Sequence, residues 1–117
     1  MPAHVMAGAS TLDPATFADW GEVAKPIGEP VSHTSGLILF RNEDKSSEMG
    51  VWECTPGRWR CEVESDEFFY VLCGRAVYTE DGGALTDIAA GMTCAFPAGW
   101  KGTCEVVETV RKVYMVR

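Results

Sequence analysis

The chain has 117 residues, 46% hydrophobic and 23% charged, with ten basic against seventeen acidic side chains and a formal net charge of −7. This is the length and composition of one globular domain and excludes a mainly disordered chain, a coiled coil and collagen. The acidic balance repels phosphate backbones and anionic lipid surfaces, and no apolar run approaches the ~20 residues of a membrane-spanning helix, so neither nucleic acid nor membrane is an expected partner.

In chain order, residues 1–12 are small and mixed and read as a loose leader. They lack the basic start and sustained apolar stretch of a signal peptide, which makes the cytoplasm the expected compartment. Asp13 and Pro14 predict a short capped helical turn, with Asp13 as the cap and Pro14 at the first position. Phe17 and Trp20 then serve as apolar anchors folding this segment onto the domain. Between Lys25 and Pro30, two prolines and Gly28 exclude a helix. Leu37 to Phe40 is an apolar run that predicts a strand, and the polar stretch Arg41 to Glu48 reads as a surface loop.

From Met49 the pattern becomes short strands between turns. The predicted strands are Met49–Cys54, Arg58–Glu62, Phe68–Cys73, Ala76–Thr79, Met92–Phe96, Thr103–Val107 and Val110–Val116. Turn residues separate them at Thr55-Pro56-Gly57, Glu80-Asp81-Gly82-Gly83, Ala89-Ala90-Gly91 and Pro97-Ala98-Gly99. Strands at this spacing, with little helix, predict an all-β sandwich or barrel. The five cysteines, at 54, 61, 73, 94 and 104, are odd in number and form no C-x-x-C pair. That argues against a zinc ribbon or dithiol redox site and for packed free thiols in a reducing compartment.

Two segments carry a resemblance. Glu67, then FFYVLC, then Gly74 is similar to the end of the first sequence motif of the cupin superfamily. Gly91, then MTCAF, then Pro97-Ala98-Gly99 is similar to the second. Both spacings fit, in the expected order. The wider run from GVWECTPGRWRCEVESDEFFYVLCGR to the C-terminal strand resembles small single-domain cupins related to the ureidoglycine aminohydrolase cupin domain. The resemblance implies a double-stranded β-helix, or jelly-roll barrel, over residues 31–117. Residues 1–30 would be a short N-terminal extension packing on it.

Metal-dependent cupins use three histidines and one glutamate. Counted back from Glu67, the paired histidine positions fall on Arg60 and Glu62, or on Cys61 and Val63, and the third falls on Gly102. The histidines of this chain are instead His4 and His33. The expectation is therefore no metal and no other cofactor. A non-standard metalloenzyme using Glu67 with Cys104 is the alternative.

If Glu67 points into the barrel, as the resemblance implies, strand alternation turns Phe69 and Val71 inward and Phe68, Tyr70 and Leu72 outward. In the Arg60/Glu62 alignment Arg58, Arg60 and Glu62 face inward too, as do Gly102, Cys104 and Val106, with Trp52, Trp100, Lys112 and Tyr114 at the mouth. A carboxylate inside a barrel must be paired or protonated, and Arg60 or Lys112 is the available partner for Glu67. These residues make Glu67 and Lys112 the candidate catalytic pair. Arg60, Glu62, Trp52, Phe69, Trp100 and Tyr114 are the candidate ligand contacts. By resemblance, the ligand is a small nitrogen-rich molecule of ureide type. The competing readings are an ion pair inherited from an older metal site, tryptophans serving as core or interface, and a non-catalytic structural or regulatory homodimer paired through strand edges.

Overall fold

Two long strands carry the architecture. The computed structural model describes residues 2–117 and contains β1 (Ala18–Glu22), β2 (His33–Arg41), β3 (Glu48–Cys54), β4 (Gly57–Glu62), β5 (Glu67–Glu80), β6 (Leu85–Ala89), β7 (Thr93–Phe96) and β8 (Lys101–Val116). β5 and β8 pair antiparallel along almost their whole lengths, from Glu67 opposite Val116 to Glu80 opposite Gly102. The ribbon bends where its register shifts, between Val71 and Ala76. Gly74 sits in that bend at φ 89°, and a Cβ there would lie 2.0 Å from the Thr109 carbonyl oxygen. Only glycine fits so close a crossing.

Each half of the bent ribbon recruits its own neighbours. β3 pairs with the Val110–Val116 half of β8, and β7 with the Glu67–Tyr70 end of β5. β4 pairs with the other half of β8, and β6 with the other half of β5. The sheet order is β1-β2-β3-β8-β5-β6, with β4 and β7 attached to the long strands. The two halves face each other as an all-β, single-domain barrel of the kind the resemblance implies. Phe69, Val71, Ala76, Tyr78, Cys104 and Val106 fill the space between them.

The predicted pairs Phe68–Cys73 with Ala76–Thr79, and Thr103–Val107 with Val110–Val116, are therefore two strands and not four. A glycine inside a long strand kinks it without ending it. β1 and β6 have no counterpart among the predicted strands. β6 has three exposed residues in a row and gives no alternation signal. Glu48 opens β3 and does not belong to a loop. Asp13 does cap a short 3-10 turn over Pro14–Thr16, accepting a hydrogen bond from the Ala15 amide at 2.9 Å.

The N-terminal segment is fastened to the outer face of the barrel. Arg111 donates to the carbonyl oxygens of Ala9 (3.1 Å) and Leu12 (2.8 Å), and its guanidinium lies 4.7 Å from the Phe17 ring centroid. All five cysteines are free; Cys54 and Cys104 are buried, but Cys73 is exposed and is not a packing residue. Among the described residues no helix is long and apolar enough to cross a membrane.

Candidate functional site

A cavity of about 340 Å³ lies inside the barrel, lined by residues of β1, β3, β4, β5, β7 and β8. Its polar centre is Lys112. Register places Lys112 between Trp52 of β3 and Val71 of β5, and alternation along β8 turns its side chain inward with Tyr114 and Val116. The ammonium lies 4.3 Å from the Trp52 ring centroid and 4.1 Å from that of Phe69. It donates to Glu67 Oε2 at 2.8 Å. Two ring faces and a carboxylate thus compensate the buried positive charge. An ammonium has three donors, and the Glu67 bond uses one of them. Among the described residues, Glu67 Oε1 accepts no hydrogen bond.

A second polar group stands on the same wall. Tyr114 donates its hydroxyl to Glu48 Oε2 at 2.6 Å, and Arg41 donates its Nε to Glu48 Oε1 at 2.8 Å. Burial opposes ionisation of Glu48, but the hydrogen bonds from Tyr114 and Arg41 outweigh it and hold its carboxyl below the usual value. Burial, then the bond to Glu48, pushes the Tyr114 phenol well above its ordinary range. Tyr114 therefore remains a donor at neutral pH. Cys61 also faces the cavity, and burial pushes its thiol up to about 11.

The structure brings five of the predicted residues together: Glu67, Lys112, Trp52 and Tyr114 line the cavity, and Phe69 lies beneath Lys112. Lys112, and not Arg60, is the partner of Glu67. Arg60 points the other way and makes a two-pronged pair with Asp81, both contacts at 2.5 Å. Glu62 pairs with Lys25 near the surface. The reason is register. Trp59 and Cys61 lie opposite Cys104 and Gly102, so they share the inward face, and Arg58, Arg60 and Glu62 take the outward one. Arg60 and Glu62 border a neighbouring basin of about 740 Å³, which shares Trp52, Trp59, Cys61 and Val63 with the inner cavity. Trp100 is not at the mouth. Its ring packs 4.6 Å from that of Phe96, and its Nε1 donates to Glu80 at 3.1 Å.

Sequence reasoning missed Trp20 and Glu48 as cavity residues and treated Trp59 as core or interface. For Glu48 a signal was present. Glu48, Gly50 and Trp52 alternate onto one face of the same strand, so Glu48 follows Trp52 inward.

The side chains do not fit a transition-metal ion. The positions of the paired histidines are held by Cys61 and Val63 on the inward face, and Gly102 has no side chain to offer. Cys104 is fully buried in the core beside Tyr78 and does not line the cavity with Glu67. No three histidine, cysteine or acidic side chains converge among the described residues.

Comparison with known proteins agrees with this fold. Residues 41–114 match the model of the EutQ-like cupin domain. A DUF861-family protein of unknown function from Pseudomonas syringae superposes with a TM-score of 0.78 at 22% identity, over 91% of this chain and 46% of its own length. This chain thus spans about half of that protein. The EutQ protein of Clostridium difficile gives a TM-score of 0.63 at 21% identity, over 80% of this chain and 75% of its own length. A DUF861-family protein from Thermotoga maritima is 30% identical over 55% of this chain and 73% of its own, with a TM-score of 0.53. No curated protein matches the chain. With the family model spanning both motif segments, the Glu67-to-Gly74 strand and the Gly91-to-Gly99 turn, the chain belongs to the EutQ-like cupin family.

Proposed function

We propose that the barrel interior is a metal-independent site for a small, uncharged, nitrogen-containing molecule of ureide type. The observation that carries this reading is the buried Lys112–Glu67 pair, which retains unused hydrogen-bonding capacity at a cavity wall. Lys112 offers donors to a carbonyl oxygen, and the adjacent Glu67 Oε1 accepts from an N–H. Amides and ureides present that combination side by side. Both lining acids are already paired, Glu48 with Arg41 outside the cavity and Glu67 with Lys112 inside it, so the lining favours a neutral ligand. A volume of about 340 Å³ suits a small molecule. Glu67 is the group placed to take a proton from a bound N–H, and Lys112 the group placed to polarise a bound carbonyl.

The test compares wild type with Glu67→Gln against urea, N-methylurea and hydantoin, reading thermal shifts and product formation. A rise in melting temperature in wild type that is lost in the variant is expected. Equal shifts in both proteins place the ligand elsewhere.

A second copy of the chain is the expected partner. Phe68, Tyr70 and Met115 are exposed on the outer face, with Phe68 opposite Met115 in register. Such a strip favours a two-fold interface. Light scattering is expected to give a dimer that Phe68→Ser with Met115→Ser converts to monomer; a wild-type monomer refutes it. The five free thiols accord with a cytoplasmic location.

A further inference from the structure

Trp20 reaches the cavity by an unusual route. It belongs to β1, an edge strand that pairs with β2 alone. Asp19 lies opposite Ser35 and Gly21 opposite Thr34, which leaves Trp20 as the extra residue of a β-bulge. Bulges re-aim a side chain, and this one turns the indole onto the barrel. The Asp19 carboxylate clamps the bulge, accepting from the Gly21 amide at 2.8 Å and meeting His33 Nε2 at 2.6 Å. The indole then lies on bare backbone. A Cβ at Gly36 would stand 2.6 Å from two Trp20 ring atoms. Gly36 is itself opposite Trp52, the residue that covers Lys112.

Three indoles, of Trp20, Trp52 and Trp59, therefore line one cavity, yet none of them stacks on another ring among the described residues. The other cavity aromatics, Tyr78 and Phe96, pack against each other at 4.9 Å. Flat walls that stack on no other ring, beside a donor–acceptor pair, suit a flat ligand.

We propose that Trp20 is a specificity-determining wall, held by Asp19 as a positioning residue, and that it selects a planar, uncharged ring carrying adjacent N–H and C=O groups over an open-chain ureide. This inference rests on the ureide reading of the same cavity. Hydantoin and N-carbamoylglycine separate the two. They differ by one water, and the second is open-chain and anionic.

Calorimetric titration of the full chain is expected to show wild type binding hydantoin at least about tenfold more tightly than N-carbamoylglycine. Trp20→Ala is expected to reduce that ratio to about threefold or less, chiefly by weakening hydantoin. Asp19→Ala keeps the indole but frees the bulge, and is expected to narrow the ratio in the same direction. A merely structural role would weaken both compounds equally and leave the ratio unmoved. An unchanged ratio in both variants overturns the inference. So does a wild-type preference for N-carbamoylglycine, which keeps the cavity as a ureide site but removes its preference for an uncharged ligand. Failure of wild type to bind either compound overturns both.

Discussion

Arg111 and Lys112 are neighbours on β8 that face opposite sides of the sheet, and each is a buried cation paired with a half-buried acid. Arg111 is 5% exposed and Glu53 15%, at 3.0 Å; Lys112 is 7% exposed and Glu67 18%, at 2.8 Å. By burial and distance the two pairs are equivalent. They differ in what remains unused. The Arg111 guanidinium meets Glu53, two backbone carbonyls and the Phe17 ring, and so fastens the N-terminal segment. Lys112 meets one carboxylate oxygen and two ring faces, beside an open cavity. A buried ion pair is thus weak evidence for a site; unspent donors and acceptors at a cavity wall are better evidence.

The largest effect is expected at Arg111. Arg111→Met strips Glu53 of its partner and leaves the Ala9 and Leu12 carbonyls without their donor. A loss of about 3 kcal/mol is expected, read from urea denaturation. Adding Glu53→Leu removes the orphaned acid and should regain part of it.

Lys112→Met is the matching break on the inner face. Methionine keeps the slot between Trp52 and Phe69 filled, and the abandoned Glu67 still lines the cavity, where it can be solvated. The expected cost is smaller, about 1–2 kcal/mol, with hydantoin binding abolished. Should Lys112→Met cost more stability than Arg111→Met, the distinction between fastening and binding would fail.

How much of this was legible beforehand follows the same division. Alternation from Glu67 correctly turned Phe69 and Val71 inward and Phe68 and Tyr70 outward, because period two is rigid within one strand. It also named Lys112 as one of two partners for Glu67. The choice between Lys112 and Arg60 depended on how β4 aligns with β8, a register set by pairing across the sheet that no local pattern records. Trp20 was legible as an anchor but not as a cavity wall. A bulge adds one residue to one strand and breaks the alternation that would have revealed its direction.

Cys61 offers the finest test of which face of β4 is inward. Burial raises its thiol to about 11, so at pH 8 it carries roughly 100-fold less thiolate than an ordinary cysteine. Cys73 is exposed. Iodoacetamide at pH 8, with peptide mapping, is expected to label Cys73 first and Cys61 slowly. Burial disfavours the charged form, so the Cys61 rate should climb as pH rises toward 11. Saturating hydantoin should slow Cys61 further and leave Cys73 unchanged, because Cys61 shares the cavity with Lys112. Equal labelling of the two thiols at pH 8 would mean that β4 presents Cys61 outward, with Arg60 then turned inward toward Glu67.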